Sequence, residues 1–343
     1  MNRLMVGLAA GACAAGCVAL CTGEEPLVVQ DRPGYNCWPM IRTLGDRLVC
    51  AYSVGVRHSI GDGEFGVYAR TSSDGGRSWS PEVEILNDPT VGEQAEGSGH
   101  DASGAMLLWV RTCGDNAHHD LYRTTDGVRY ERISAPKLDP LPTQVMDVVR
   151  VPGVGLVSLW FYCTYGGNNR GNAWGMLVSA DEGRSWTQRT VESGLPLPDA
   201  ATEPSFVVLP DGRLFGIARG ERSGCQFQIV SLDSGRTWTR TRTNITDVHA
   251  STPSLVYDPK TDLVANYYYE RGKGFLKRRV ARVSEVFDRP LAWPEPEILA
   301  EGSAIPPDAG NANAVRLGGT DYVAYYSGVS PNTAVLVVPA NVP

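Results

Sequence analysis

The chain has 343 residues, of which 31 are Lys or Arg and 38 are Asp or Glu, so its formal net charge is −7. That charge argues against a general nucleic-acid binder, because such a protein needs a basic surface to neutralise phosphates. Hydrophobic residues make up 42% of the chain and charged residues 20%, which excludes a disordered polypeptide. The 38 Gly and 23 Pro exceed the usual share and favour many turns between short strands.

Residues 1–23 have the character of an export leader. Arg3 provides a positive start, and residues 5–20 form an apolar, uncharged run that is short for a membrane span of ~20 residues. We therefore expect a signal peptide followed by one domain over residues 24–343. The Ala-Ala-Gly-Cys that ends at Cys17 resembles a bacterial lipobox, so the exported protein is either lipid-anchored there at the cell surface, or cleaved and released to the periplasm or medium.

An eight-residue pattern, Ser-x-Asp-x-Gly-x-Ser/Thr-Trp, recurs along the chain. Its three clear copies end at Trp79, Trp186 and Trp238, and a worn copy surrounds Asp126. The four aspartates are 52, 55 and 52 residues apart. Asp can accept hydrogen bonds from the backbone of a turn, Gly can adopt a positive φ, and Trp can fold back as an apolar plug. We therefore interpret each copy as a hairpin with a structural role.

A second pattern runs in phase with the first: an alternating strand, a Gly or Asp turn, and another strand. Period-2 alternation with tight turns is typical of antiparallel hairpins. Six copies of ~50 residues predict an all-β fold, a six-bladed β-propeller of four-stranded blades. Residues 26–30 form an extra strand that we expect to complete the last blade and close the ring. Blade five lacks the Asp pattern, and Trp293 is the candidate for its plug. A β-sandwich is the alternative, but it does not predict the period.

The sequence gives no sign of a metal site or of another cofactor. Five cysteines follow the leader, none of them in a Cys-x-x-Cys motif, and their odd number leaves at least one unpaired. His118 and His119 lie between two aspartates, but adjacent histidines without a third nearby are not typical of zinc. We therefore predict no cofactor, and we infer no protein partner.

Polar residues should gather on one face of the predicted ring. In each blade the innermost strand begins on that face, and the next strand, being antiparallel, ends there. Arg57, Arg219 and Arg271 recur at this point in three blades. Three guanidinium groups around one axial pocket would bind a carboxylate by bidentate, charge-assisted hydrogen bonds, whereas single arginines would be ordinary loop residues. The further polar residues expected at this pocket are His249, Glu270 and Asp308.

The repeated Asp pattern resembles the Asp box of the sialidase (neuraminidase) superfamily, and the resemblance extends over all six blades. Residues 202–219 are similar to the fourth-blade segment of that family. This implies that Glu203 polarises the nucleophile and that Arg219 binds the substrate carboxylate. Asp62, just before the first Asp box, matches the loop of the general acid/base. Arg271 matches a second carboxylate-binding arginine.

Two positions depart from the family pattern. Blade one has Trp38-Pro39 where sialidases usually have Arg-Ile-Pro, so the first carboxylate-binding arginine is missing unless Arg57 or Arg42 replaces it. Blade six has Asn311 where the nucleophilic Tyr is expected. The tyrosines that can supply this phenol are Tyr326, which we choose, and Tyr165 and Tyr268.

Three functions are consistent with these residues. The resemblance implies an exported glycoside hydrolase that cleaves terminal sialic acid or another acidic sugar from glycans. The alternatives are a non-catalytic propeller lectin, and a lyase or hydrolase of uronate-containing glycans that uses His249 or a Tyr as its base. Asp62 and Glu203 favour an enzyme, whereas the departures in blades one and six favour the alternatives more than a standard sialidase sequence would.

Overall fold

A computed structural model shows that the described part of the chain is almost entirely β-structure, as the period-2 pattern predicts. It contains 24 strands, a 3₁₀ turn (Leu197–Asp199) and one short helix, α1 (Val283–Val286). Within that part, no helix is long and apolar enough to cross a membrane. The predicted leader with Cys17 lies outside the described residues. These residues are 25–58, 65–165, 171–248 and 251–342.

The strands follow one another as antiparallel meanders, which we number as units 1 to 6 in chain order. In each of units 1 to 3, every strand pairs with the next one along the chain. Unit 1 comprises β2 (Tyr35–Leu44), β3 (Arg47–Gly55), β4 (Gly66–Ser72) and β5 (Val83–Leu86). Unit 2 comprises β6 (Glu93–His100), β7 (Met106–Thr112), β8 (His118–Thr124) and β9 (Glu131–Ser134). Unit 3 comprises β10 (Gln144–Val151), β11 (Gly155–Tyr162), β12 (Asn172–Ser179) and β13 (Thr187–Leu195).

Units 4 to 6 repeat this arrangement, and the first strand of the chain joins the last unit. That strand, β1 (Leu27–Gln30), pairs antiparallel with β24 (Asn332–Asn341) and so supplies the fourth strand of unit 6. Unit 4 comprises β14 (Ala201–Val208), β15 (Leu214–Gly220), β16 (Phe227–Ser231) and β17 (Thr239–Arg242). Unit 5 comprises β18 (Ser254–Asp258), β19 (Leu263–Glu270), β20 (Phe275–Arg282) and β21 (Glu297–Glu301). The other strands of unit 6 are β22 (Ala309–Leu317) and β23 (Thr320–Val329).

Two pairs of units are joined by single parallel bridges, which merges them into eight-stranded sheets. One bridge pairs Tyr35 of β2 with Thr333 of β24, and the other pairs Gly99 of β6 with Val148 of β10. A Cβ atom at Gly99 would lie 1.8 Å from the carbonyl oxygen of Val148, so only glycine permits this approach. Units 4 and 5 each remain a separate four-stranded sheet. The count of six blades and the closure of the ring stay predictions.

The predicted Asp-pattern hairpins are present. In the first copy the carboxylate of Asp74 accepts hydrogen bonds from the Ser78 amide at 2.9 Å and from the Ser72 hydroxyl at 2.8 Å. The Trp79 indole donates to the Gly76 carbonyl at 3.0 Å. The copies around Asp181 and Asp233 repeat these contacts, which confirms their structural role.

The core consists of six clusters of buried side chains, each lying between two consecutive units or between units 6 and 1. Trp238 packs edge-on against Trp174 of unit 3 and Phe206 of unit 4, so the Asp-pattern tryptophans fill the gaps between units. Unit 5 has α1 in place of the Asp pattern, and the buried Trp293 packs against Phe215 of unit 4, as predicted for its plug. The five cysteines of the described chain are all buried and unpaired.

Candidate functional site

A pocket of about 330 Å³ lies where the first strands of five units come together. Aromatic rings, three arginines, amide side chains and one carboxylate surround it. The residues that line it are Trp38, His58, Gln94, Arg111, Thr143, Gln144, Tyr165, Glu203, Arg219, Arg271 and Asn311.

Breaks in strand pairing aim three of these side chains at the pocket. In β2, β14 and β22 the register with the next strand shifts at the same point, and the residues in the breaks are Trp38, Glu203 and Asn311. Their φ angles are 49°, 46° and 51°, a conformation that side-chain-bearing residues seldom adopt. Such strain costs about 1–3 kcal/mol per residue and clusters at functional sites, and bulges similarly redirect side chains. The sequence shows the strands but not these breaks.

Glu203 and Arg219 form the charged centre of the pocket. The Arg219 Nη1 atom lies 2.8 Å from the Glu203 Oε1 atom, and the other oxygen of Glu203 accepts the hydroxyl of Thr252 at 2.5 Å. Arg219 also pairs with Glu221 at 2.8 Å. Both acids raise the pKa of Arg219 against the opposing effect of its burial, so the guanidinium stays charged. The structure therefore brings together the two residues that the sequence assigns to the fourth-blade segment.

Arg271 enters the pocket from the turn after β19. Its Nε donates to the Ala309 carbonyl at 2.6 Å, and its Nη2 lies 3.1 Å from the Asn311 Oδ1 and 3.0 Å from the Tyr326 hydroxyl. Tyr326 is fully buried, and its hydroxyl donates to the Pro307 carbonyl at 2.7 Å. Tyr326 is therefore placed behind Arg271 and does not line the pocket.

Arg111 is the third arginine of the pocket. It lies within β7, directly opposite Gln94 of β6, and its Nη1 donates to the Thr143 carbonyl at 2.6 Å. The Arg111 Nε and the Gln94 Oε1 are buried without a hydrogen-bond partner among the described residues. Such groups are costly unless a ligand or water satisfies them. Arg111 lies near the end of β7, the position at which the sequence pattern predicts polar residues of the functional face.

Arg57 is placed differently from the other predicted arginines. It lies two residues beyond the end of β3, it is exposed, and it is not among the lining residues. Arg42 is the other residue that could replace the missing carboxylate-binding arginine of blade one. It is buried, forms an ion pair with Asp147 and does not line the pocket. Arg219, by contrast, lies inside β15 opposite Thr202, so its side chain starts closer to the centre.

Two predicted acids lie behind or beside the pocket. Glu270 is buried and pairs with Lys273 at 2.9 Å and with Lys277; it lines a neighbouring cavity that also contains Glu221. Asp308 is buried beneath the pocket, where Oδ1 lies 3.2 Å from the Tyr35 hydroxyl. The predicted Asp62 and His249 lie outside the described residues.

Tyr165 is the tyrosine that lines the pocket. It follows β11 with a φ of 50°, and about 43% of its surface is exposed. Desolvation and then the negative charge of Glu203 raise the pKa of its phenol, which therefore remains protonated at neutral pH. The positive charge of Arg219 opposes this increase in pKa, so both residues of the Glu203–Arg219 ion pair act on the phenol electrostatically.

His58 also faces the pocket; in the sequence it follows Arg57, after a strand that is predicted to end on the functional face. Its Nδ1 lies 3.2 Å from the hydroxyl of Tyr35, and its ring is 5.6 Å from that of Trp38. Desolvation, followed by the positive charge of Arg271, lowers the pKa of His58 to about 4. The imidazole is therefore neutral at physiological pH.

The described residues contain no cluster of three or more His, Cys, Asp or Glu side chains that could hold a metal ion. The described lining residues instead present three guanidinium groups, one carboxylate, a neutral imidazole and a phenol. This set can bind an anion, exchange protons and stabilise a developing charge.

Comparison with solved structures shows the fold that presents this pocket. A protein of unknown function from Dyadobacter fermentans superposes with a TM-score of 0.72 at 16% identity, covering 93% of this chain and 99% of that one. A Hadza microbial sialidase gives 0.66 at 18% identity, with 88% and 65% covered. A sialidase variant from Streptococcus pneumoniae gives 0.67 at 12% identity, with 92% and 70% covered. Identities this low establish the fold alone.

The family model agrees with these folds. Comparison with curated proteins by sequence finds no significant match. The model described as the BNR repeat-like domain, however, matches residues 46–334, which is most of the chain. The chain therefore belongs to the BNR repeat-like family, and its fold is similar to that of solved sialidases.

Proposed function

We propose that this protein is an exported glycoside hydrolase of the sialidase type that cleaves a terminal acidic sugar, such as sialic acid, from glycans. The observation that supports this most directly is the meeting of the Glu203–Arg219 ion pair with Arg111 and Arg271 in one pocket. Glu203 and Arg219 are the two fourth-blade residues to which the resemblance assigns catalytic and carboxylate-binding roles.

The charge balance of the pocket favours an anionic ligand. Three guanidinium groups face it, whereas Glu203 is the one carboxylate among the described lining residues. Arg219 already pairs with two carboxylates, whereas the Arg111 Nε is buried without a hydrogen-bond partner among the described residues, so Arg111 gains most from an incoming carboxylate. Planar guanidinium groups bind carboxylates in bidentate geometry, which a neutral sugar cannot exploit. We therefore revise the proposed clamp from Arg57, Arg219 and Arg271 to Arg111, Arg219 and Arg271.

Hydrolysis needs a proton donor and a group that attacks the anomeric carbon. Sialic acid carries its carboxylate on that carbon and repels a carboxylate nucleophile, so a phenol is the better attacker. We assign this role to Tyr165 in preference to Tyr326, because Tyr165 lines the pocket. As its oxygen bonds to the anomeric carbon, Tyr165 passes its proton to Glu203, while Asp62 protonates the leaving oxygen. In the second step Asp62 takes a proton from a water molecule that attacks the anomeric carbon, the bond to Tyr165 breaks, and Glu203 returns the proton to the phenol.

The wider setting of the enzyme is also proposed. Units 1 to 6 would be the six blades of one closed propeller, with β1 completing the last blade. The β1–β24 pairing and the buried cluster between units 6 and 1 support this interpretation. The leader in residues 1–23 would export the protein, with Cys17 as a lipid anchor if the lipobox resemblance holds.

A panel of fluorogenic glycosides tests the proposal. Purified protein should release the fluorophore from sialosides or other acidic glycosides and leave neutral glycosides intact. Calorimetry with free sialic acid and with a neutral hexose should show binding of the acid only. Binding without turnover would support the lectin instead, and cleavage of neutral glycosides would contradict the carboxylate clamp.

A further inference from the structure

His58 is held at the pocket wall by a chain of hydrogen-bonding groups that the proposed hydrolysis does not use. The Tyr35 hydroxyl lies 3.2 Å from the His58 Nδ1 and 3.2 Å from the Asp308 Oδ1. The other oxygen of Asp308 accepts the Ser330 amide at 2.8 Å. Tyr35 is fully buried and Asp308 nearly so, so this chain is fixed by its surroundings.

The chain determines which nitrogen of His58 can act on a ligand. Tyr35 has one proton to donate, and the carboxylate of Asp308 is the strongest acceptor within its reach. The hydroxyl oxygen then accepts a hydrogen bond from the His58 Nδ1–H, so the neutral ring is protonated at that nitrogen. Its Nε2 keeps a lone pair, and it makes no hydrogen bond to the described part of the chain. A neutral imidazole with one free nitrogen can accept a proton.

The charges around His58 make its basicity depend on the ligand. Arg271 and Arg219 lower its pKa, while Asp308 and Glu203 raise it, and desolvation is the largest effect. If the proposed clamp holds, a bound carboxylate will offset the positive charge of the arginines. The pKa of His58 should then rise when an acidic sugar binds, which makes the base stronger in the complex than in the free protein.

We propose that His58 is the general base of this pocket, and that an internal uronate bound by the arginine clamp undergoes β-elimination there. The His58 Nε2 takes the proton from C5, the carbon that bears the carboxylate. The electron pair of the C5–H bond forms the C4–C5 double bond, and the C4–O bond breaks. Tyr165 gives its proton to the leaving oxygen, and solvent returns that proton to Tyr165 and removes the one on His58. No oxidant or metal is needed for this balance.

The same clamp gives different outcomes with the two classes of acidic sugar. In a uronate, the carbon next to the carboxylate carries a hydrogen, and neutralising the carboxylate by Arg111 and Arg271 makes that hydrogen more acidic. In sialic acid, the carboxylate is attached to the anomeric carbon, which has no hydrogen to remove. Elimination at C5 is therefore available only to uronates, and it rests on the carboxylate clamp of the proposed function but not on its hydrolytic step.

The test follows product formation from oligosaccharides of 4-linked glucuronate, galacturonate and mannuronate. The wild type should produce the ultraviolet absorbance and mass of a 4,5-unsaturated uronate. His58→Gln should lower this rate at least about 10²-fold, the usual contribution of a general base, and imidazole should partly restore activity to His58→Ala. His118→Gln, a surface histidine with 44% of its side chain exposed, should match the wild type.

Tyr35→Phe tests the positioning chain. Without the hydroxyl, His58 loses its Nδ1 partner. Turnover should therefore fall, and the rising limb of the pH–kcat profile should move. If Tyr35 had only a structural role, the substitution would alter thermal unfolding alone. Saturated products, no cleavage of any of the three uronides, or full activity of His58→Gln would each overturn the proposal. A sialoside assay run in parallel separates the proposed hydrolysis from the proposed elimination. Hydrolysis of sialosides with no unsaturated product from the uronides rejects elimination only. An unsaturated product with no hydrolysis of sialosides rejects hydrolysis only.

Discussion

Arg219 is held between two carboxylates, with its Nη1 2.8 Å from the Glu203 Oε1 and its Nη2 2.8 Å from the Glu221 Oε2. Only Glu203 lines the pocket; Glu221 faces a neighbouring cavity. The two acids thus make the same type of ion pair with one arginine but differ in their access to a ligand. This difference allows the catalytic and structural roles of Glu203 to be separated by experiment.

Glu203→Gln should lower kcat by about 10²–10⁴-fold, because it removes the group that accepts a proton from the attacking phenol. Glu221→Gln is the matched control and should change kcat less than about tenfold, while both variants should lose a similar amount of stability to thermal unfolding. The measurement is kcat on a sialoside with a good leaving group, which needs little protonation by Asp62. Equal kcat values for the two variants would assign Glu203 a purely structural role.

The identity of the third arginine can be tested by a pair of conservative substitutions. Arg111→Lys should weaken binding of free sialic acid by about tenfold or more, because the ammonium group cannot form bidentate hydrogen bonds. Arg57→Lys should bind like the wild type, since Arg57 lies on an exposed segment beyond β3. Isothermal titration calorimetry measures both. The opposite order of affinities would restore the clamp expected from the sequence.

The fold was largely predictable because its signals are local. Each Asp-pattern hairpin is stabilised within eight residues, as the contacts of Asp74 with Ser72 and Ser78 show, so the repeat was readable as a structural element. Glu203 and Arg219 were predicted from the resemblance of residues 202–219 to a family segment, and that segment is also local. They belong to one hairpin, in which Arg219 pairs directly with Thr202, next to Glu203.

The rest of the site depends on features that the sequence does not display. Arg111 lies inside β7, whereas Arg57 lies two residues beyond the end of β3, where it is exposed and does not line the pocket. Tyr326 is paired opposite Gly310 and is buried behind Arg271, which required the register of unit 6. The hydrogen-bonded chain behind His58 was not visible in the sequence, because Tyr35 and its partner Asp308 are 273 residues apart.

The choice between the two tyrosines is tested by removing each hydroxyl. Tyr165→Phe should lower kcat on sialosides by about 10²-fold or more, because the phenol oxygen is the proposed nucleophile. Tyr326→Phe removes a hydrogen bond from Arg271 and should mainly raise KM. Trapping with a fluorinated sialoside followed by mass spectrometry identifies the labelled tyrosine directly. A label on Tyr326, or an undiminished kcat in Tyr165→Phe, would contradict the assignment.

The last prediction concerns a buried acid beside the site, and it follows from the position of Glu93 at the start of β6. Glu93 is 1% exposed; one carboxylate oxygen accepts the Asp88 amide at 2.9 Å, and the other has no partner among the described residues. Burial, reinforced by the negative charges of Asp88 and Glu84, raises its pKa from 4.5 to about 7. The folded state therefore prefers the protonated acid more than the unfolded state does.

The sign of the resulting pH dependence is fixed by this direction. At a pH below the pKa of Glu93 in the unfolded chain, Glu93 is protonated in both states and its contribution to stability is fully present. As the pH rises towards about 7, Glu93 ionises first in the unfolded chain, and this contribution is lost. Glu93→Gln keeps an uncharged side chain of similar shape, so it should be nearly neutral at about pH 4 and stabilising by on the order of 1–3 kcal/mol at about pH 8. Urea unfolding at both pH values measures the difference. Glu131→Gln, whose carboxylate is exposed on the surface strand β9, is the control that should show little change. A Glu93→Gln effect that does not grow with pH would mean that the buried carboxyl is not the group that titrates.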